Sequence, residues 1–442
     1  MKLRPRLGEH ALLRRHVIDG VERIAVHHSG SGALVLIEPR ACDIALLADG
    51  TRDRDGIALA ASRAGYFARQ SEIDSLLDGL DQAGLLVDGI ECGPLGSSPI
   101  TPLAGALADV PVEVLPGYRF ECSGAGACCR QYASIALGAD DVSRARSAFA
   151  TLPGDTAARK VTLPLYGGLD SGRQAMTLVD GDCLQLLPSR RCGIQERAGY
   201  EAKPSACRAY PATFVFDGVR VRVSTSVECD CVLQSLERTS GAPLSTATRV
   251  SELSSGISIR ELPLSIRLTD EQEVERARYL EISDEIGAAA RGRPAIERAV
   301  ALAAALAGGA SSGDLASALL PRVQALATSM EAAASAANLW RSKSDRTRRM
   351  RQQVAVASKA LLARGLAATL AVDPRPEAET FALDAALFGH QLAGGAPVAE
   401  ALLDLAARLL VAREMSISGG SELGDPITVV MAATRGATTL AP

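Results

Sequence analysis

Eight of the ten cysteines in this chain of 442 residues lie between Cys122 and Cys231, about a quarter of its length. Even scattering would leave about two or three there, so the concentration needs a physical cause. The first group is the run Phe120-Glu121-Cys122-Ser123-Gly124-Ala125-Gly126-Ala127-Cys128-Cys129-Arg130. Cys183 and Cys192 follow, then Cys207 within Lys203-Pro204-Ser205-Ala206-Cys207-Arg208-Ala209-Tyr210-Pro211, and last Cys229 and Cys231. Disulfides, buried inert thiols and metal ligation are the three explanations. The segment Met1–His16 is studded with arginine and lacks a signal-peptide apolar stretch. No apolar run reaches the roughly 18 residues that span a bilayer, the longest lying around Ala299–Leu306. A soluble, cytoplasmic protein without a membrane partner is expected, and cytosolic thiols stay reduced. Adjacent Cys128 and Cys129 also have Cα atoms about 3.8 Å apart, below the usual disulfide span of about 4.4–6.8 Å. Eight inert thiols in one window explain little, so metal ligation is favoured.

The five histidines, His10, His16, His27, His28 and His390, all lie outside that window. The local donor set is therefore nearly all sulfur, which suits zinc or an iron–sulfur cluster and disfavours magnesium or calcium. Structural zinc usually draws on cysteine pairs two to four residues apart. Here the spacings include none, one, eight and fourteen intervening residues, a poor fit to a zinc ribbon. An iron–sulfur cluster, a four-iron one by thiolate count, is the first choice and zinc the second. The candidate ligands are Cys122, Cys128, Cys129, Cys183, Cys192, Cys207, Cys229 and Cys231.

The rest of the chain divides around this region. In residues 1–90, Val21–His28 and Ala33–Ile37 read as a β-hairpin joined by Ser29-Gly30-Ser31-Gly32. Three short helices follow: Ala41–Ala48 ending at Asp49-Gly50, Asp55–Arg63, and one opening at Ser71 with Asp74 as a capping-box variant. Ile73, Leu76, Leu77 and Leu80 give the third an apolar face. Gly89–Pro116 is rich in Gly, Pro and Ser and reads as a linker. From Thr269 helix is expected to follow helix: one opened by Thr269 and Gln272 as a capping box and continued by Val274, Ala277 and Leu280 on one face, then Pro294–Leu306, Asp314–Trp340 with Pro321 at a start or kink, Ser344–Leu370, Pro376–Leu392 and Val398–Met415. Gly419–Pro442 shows no period and reads as a loosely held tail. The fold class expected is α+β. Residues 1–90 form a small winged-helix-like module, 91–117 a linker, 118–263 an irregular Cys-rich metal domain, 264–418 an all-α bundle and 419–442 a tail.

Residues 1–90 resemble the PqqD-like peptide-recognition modules. The likeness rests on Arg4-Pro5-Arg6-Leu7, Leu34-Val35-Leu36-Ile37-Glu38-Pro39-Arg40-Ala41, Leu47-Ala48-Asp49-Gly50-Thr51-Arg52 and Leu76-Leu77-Asp78-Gly79-Leu80-Asp81-Gln82-Ala83-Gly84-Leu85-Leu86. It implies a peptide or protein partner that adds a strand to the sheet edge. The cysteine region resembles the YkgJ-type cluster family of zinc- or iron-chelating domains. Its C-x-x-C-x-x-C-C, later cysteine pair and K-P-x-x-C-R-x-Y-P stretch match at Cys122, Cys128, Cys129, Cys183, Cys192, Lys203, Pro204, Cys207, Arg208, Tyr210 and Pro211. Ala125 departs from it, standing where the signature's second cysteine belongs. The lost thiol leaves an open position, brings in Cys231, or was never a ligand. FliB-type flagellin lysine methylases share the cysteine domain, and Phe381–His390 and Leu402–Arg413 are loosely similar to their helical tail. That likeness implies S-adenosylmethionine and a lysine on a protein substrate, but no Gly-rich nucleotide loop sits between a strand and a helix. A non-catalytic metal-stabilised scaffold or metal carrier is the remaining reading, so the residues leave open whether the chain is an enzyme.

Other features weigh less. Lys203 and Arg208 would offset thiolate charge or brace the loop, and Tyr210 would brace it. Asp180, Asp182 and Asp230 flank cysteines as oxygen ligands or loop caps. The basic run Arg341–Arg351 reads as a solvated helix face. With 47 basic and 51 acidic residues, a net charge of −4, the chain lacks a nucleic-acid footprint. His27 and His28 read as a surface pair and His390 as a core or rim residue. Cys42 reads as a small core residue, and Cys92, like it, lies outside the cluster.

Overall fold

A computed structural model describes residues 3–8, 11–18, 20–28, 34–66, 68–89, 107–130, 136–137, 139–150, 162–164, 174–179, 182–238, 240–254, 257, 259–289, 292–308, 314–336, 341–393 and 396–434. The α+β class is as expected. The amino-terminal module is built on strands β1 (Pro5–Leu7), β2 (Ala11–Ile18), β3 (Val21–His28) and β4 (Leu34–Ile37), three helices (Pro39–Ala45, Arg54–Arg63, Gln70–Gln82) and β5 (Leu86–Asp88). The expected hairpin forms in the register Ile24↔Ile37, and β2 adds a strand that its arginines hid from the apolar pattern. Asp53 caps the second helix by accepting from Gly56 N–H at 2.8 Å. The third helix opens two residues earlier than expected, with Arg69 and not Ser71 at its N-cap: Glu72, not Asp74, reaches back, accepting the Arg69 N–H at 2.9 Å. Ile73, Leu77 and Leu80 fill the core with Leu7, Leu13, Ile24 and Ile57, while Leu76 stays half-buried at its margin.

The middle of the chain holds short strands and loops. β6 (Val112–Val114) lies within the expected linker but pairs in parallel with β13 (Val221–Thr225). Three residues carry no readable period, which is why composition alone made them linker. β12 (Ala212–Phe216) joins β13 as a hairpin, and β14 (Arg260–Glu261) completes the order β14-β12-β13-β6. β7 (Ala136–Leu137), β8 (Thr162–Pro164) and β9 (Gln174–Met176) form a small sheet in the order β7-β9-β8. β10 (Leu178–Val179) runs parallel to His16–Val17 of β2, and β11 (Asp182–Cys183) pairs with β10. The cysteine region is thereby stitched into the sheet of the first module.

Thr269 and Gln272 do not open a helix. They turn a hairpin between β15 (Ser265–Arg267) and β16 (Glu273–Glu275), with Leu268 N–H donating to the Gln272 carbonyl at 2.8 Å. The helix begins at Arg276. Helices then occupy Arg276–Ala289, Ala295–Leu306, Leu315–Ala336 (with Pro321 inside), Arg341–Arg364, Leu366–Leu370, Pro376–Phe388 and Val398–Ile417. The expected tail contains one more, Pro426–Thr434, whose Ile427, Val429, Val430 and Met431 are buried in the bundle core. That core also takes in Val215, Leu233, Leu262, Ile266 and Leu268, so residue 263 does not divide two independent interiors. Among the described residues no helix is long and apolar enough to cross a membrane.

Candidate metal centre

The loop that carries the first cysteines is drawn against two other segments. Before it, Tyr118 donates its hydroxyl to the Val232 carbonyl at 3.0 Å and stacks on Phe381 of the bundle at 4.7 Å. Glu121 N–H donates to Ser235 Oγ at 3.0 Å, and that hydroxyl donates to the Cys231 carbonyl at 2.6 Å. Within the loop, Gly126 holds φ +70° with its α-carbon against the backbone of Arg190. A Cβ there would stand 2.9 Å from the Arg190 carbonyl oxygen, so only glycine lets the two loops close. The helical turn Ala127–Arg130 follows, with Cys129 N–H donating to the Gly126 carbonyl at 3.1 Å.

Two groups of sulfur result. Cys122, exposed, and Cys229, buried, both hydrogen-bond through their thiols to the buried Cys231 sulfur. Ser123 Oγ lies 3.2 Å from that sulfur, and the Ala125 N–H donates to it. Those donors, the Cys122 and Cys229 thiols foremost, hold the Cys231 thiol far below its ordinary value, against the effect of burial. The donors around Cys231 thus favour its thiolate, the form that ligates metals.

The second group is Cys129, Cys183 and Cys192, packed with Leu137, Met176, Leu178 and Ile194 in one apolar cluster. Cys183 and Cys192 bracket a tight loop closed by Gly193 N–H to the Gln185 carbonyl at 2.7 Å. Burial pushes the Cys192 thiol up. Backbone N–H groups of Gln195 and Ile194 and the nearby Lys203 ammonium oppose that, and Cys183 adds to it. Cys207 sits half-buried on the helix Ser205–Ala209, which packs against β7 beside this group. The start of that helix is pinned by the buried Asp141, which accepts Ser205 N–H and Oγ–H, each at 2.9 Å. The Cys128 side chain lies outside the described residues, as do Cys92 and Asp180.

Most flanking candidates are braces. Lys203 is buried, with Nζ 3.4 Å from Gln195 Oε1 and 5.4 Å from the Tyr200 ring centre. Arg208 pairs with Glu201, and Tyr200 donates its hydroxyl to the Arg208 carbonyl at 3.0 Å. Tyr210 packs in the cluster of Cys229 and Cys231. Asp182 faces Arg130 at 4.0 Å, and Asp230 accepts the Asp425 N–H at 3.1 Å, so both carboxylates act as clamps. The basic run is not simply a solvated face. Arg346 donates to the Leu423 carbonyl at 2.9 Å and Arg351 to the Ala333 carbonyl at 3.2 Å, while the side chains of 341–345 lie outside the described residues. His390 is buried as expected of a core residue, and burial pushes the Cys42 thiol up to about 12 in the core of the first module. The side chains of His27 and His28 lie outside the described residues.

An arginine collar was missed by sequence reasoning. Burial first, then the charges of Arg130, Arg190 and Arg349, push the Arg346 guanidinium below its ordinary value, with Asp230 opposing them. Arg130 directly follows Cys129 and Arg190 lies two positions before Cys192, which was the available signal. Arg346, more than one hundred and fifty residues from either in sequence, gave none. Arg190 holds φ +65°, a conformation few non-glycine residues adopt.

The donor chemistry fits a soft metal: the described cysteines are all thiols, without a disulfide, and positive charge gathers around them. The thiols are hydrogen-bonded to one another and are not arranged as a ligand shell. Among the described residues no group of three or more His, Cys, Asp or Glu side chains is placed to hold an ion. Residues 121–232 match a family model described as a "putative zinc- or iron-chelating domain" whose name prints the spacing CxxCxxCC. The match covers about a quarter of the chain and places metal chelation within the Cys-rich region. Comparison with curated proteins and with solved structures returned no match.

Proposed function

We propose that the Cys-rich region carries an iron–sulfur cluster, with zinc as the alternative, and that the chain acts with a peptide or protein held by residues 1–90. The observation that carries the metal reading is the sulfur network under the arginine collar. Arg130, Arg190 and Arg349 all act electrostatically on the buried Arg346 guanidinium, against the carboxylate of Asp230, an arrangement that anionic metal-bound sulfur would relieve. Cys122, Cys128, Cys129, Cys183, Cys192, Cys207, Cys229 and Cys231 would hold the metal. When bound, it would cross-link loops that have little apolar periodicity of their own, so ligation contributes folding free energy. Arg130, Arg190 and Arg346 offset the thiolate charge, and Gly126 sets the loop approach.

Anaerobic purification with an absorption spectrum and metal analysis tests this. Brown protein with iron and acid-labile sulfide in comparable amounts is expected. A colourless protein holding zinc overturns the cluster, and one that takes up neither metal overturns the reading. The partner reading is supported by the sheet order β11-β10-β2-β3-β4, in which β10 covers the outer edge of β2 while β4 ends the sheet among the described strands. An extended peptide would add along Leu34–Ile37 through backbone hydrogen bonds. Amide signals of β4 should broaden on titration with such a peptide, and unchanged spectra would remove this part. Methyl transfer from S-adenosylmethionine to a protein lysine stands on resemblance alone. Heat on adding the methyl donor and a methyl-lysine product by mass spectrometry are its requirements.

A further inference from the structure

The spacing printed in the family's name puts a cysteine at position 125, where this chain has alanine. The structure shows what lies over that alanine. Ala125 packs, half-buried, in the apolar cluster that contains Cys229, Cys231 and Tyr118. Its N–H points at the Cys231 sulfur, and Ser123, two residues before it, brings Oγ to 3.2 Å of the same atom. Cys122, the signature's first cysteine, also reaches Cys231. Three contacts from one loop therefore converge on a sulfur that arrives more than one hundred residues later in the chain.

We infer that Cys231 supplies the thiolate that the loop lacks at Ala125, acting as a ligand together with Cys122 of the same loop. The inference rests on the metal reading above and goes beyond it by assigning one ligand to one missing position. Cys231 is held there from both sides. Ser235 Oγ bonds its carbonyl at 2.6 Å and receives the Glu121 N–H at 3.0 Å, so the helix Asp230–Gln234 cannot slide along the loop without breaking both.

A thiol swap tests this in the full-length protein, reconstituted anaerobically with iron and sulfide and, separately, with zinc. Bound metal per chain is the readout, with circular dichroism to check folding. Cys231→Ala is expected to fall to less than about half the wild-type content. Adding Ala125→Cys to that variant is expected to return it to the wild-type level, because the sulfur is replaced at the position it served. Wild-type content in Cys231→Ala overturns the inference while leaving the metal reading intact. So does a folded double variant that stays as depleted as the single one. A wild-type chain that takes up neither metal overturns both.

Discussion

His390 should make the protein acid-sensitive, by an amount the structure fixes. The residue is 4% exposed, at the joint between the bundle and the β12–β13 hairpin, and neither ring nitrogen has a hydrogen-bond partner. Its ring meets Tyr279 edge-on at 5.6 Å, and its carbonyl accepts from Arg260 at 2.6 Å. Burial, helped by the charges of Arg222 and Arg260 and opposed by Asp217 and Glu113, lowers the imidazole from 6.5 to about 4. The folded state therefore stays neutral there while the unfolded chain takes up a proton. Stability is fully present above pH 6.5 and is lost as pH falls from 6.5 through 4. At 1.36 kcal/mol per unit the whole loss is about 3 kcal/mol, and about 2 kcal/mol of it has gone by pH 5. His390→Phe keeps a ring and removes the titration, and any strain at φ +47° enters both proteins without depending on pH. In urea melts the variant should gain about 2 kcal/mol on the wild type between pH 7.5 and pH 5. An imidazole carbon-bound proton assigned to His390 by its loss in the variant should titrate near 4. A His390 that titrates above 6, or a difference in stability that does not change with pH, refutes the reasoning.

The other predictions concern joints within the bundle. Glu379 and Arg413 form a two-toothed pair with side chains 2% and 3% exposed, and Asp373 stands 3.2 Å from the same guanidinium. Glu379→Ala should cost about 1.5–3 kcal/mol in chemical denaturation, because it removes the two buried hydrogen bonds while Asp373 still faces the guanidinium. Gly389→Ala puts a Cβ 2.6 Å from the Ser224 Cβ and should lose about 1–3 kcal/mol through forced displacement of β13 from the helix Pro376–Phe388. Asp230→Ala removes the acceptor of the Asp425 N–H, at a cost of about 1–3 kcal/mol. Hydrogen exchange should speed up selectively in Pro426–Thr434, and unchanged protection there would show that the clamp is idle.

What could be read in advance follows from which interactions leave a local trace. Leu77 and Leu80 announce their helix because its other face is polar. Pro426–Thr434 is buried nearly all round, so no polar face marks its period, and it passed for a tail. Thr269 and Gln272 satisfy a capping pattern, yet the Thr269 hydroxyl and the Gln272 backbone serve a hairpin turn, and the pairing of Ile266 with Val274 decides between the two. The cysteine window was legible because residue type alone carries the chemistry. Its partition was not: the meeting of Cys122 with Cys231, or of Arg130 with Arg346, depends on tertiary contacts of long sequence separation.

The parallel seam between Leu178–Val179 and His16–Val17 has a practical consequence. A fragment ending near residue 90 would be cut along a hem. Its β2 would show water an unpaired row of backbone groups where β10 belongs, an edge ready to recruit any extended chain, including another copy of itself. Peptide capture by such a fragment would then report on the cut as readily as on the native rim at β4, and only the intact chain separates the two.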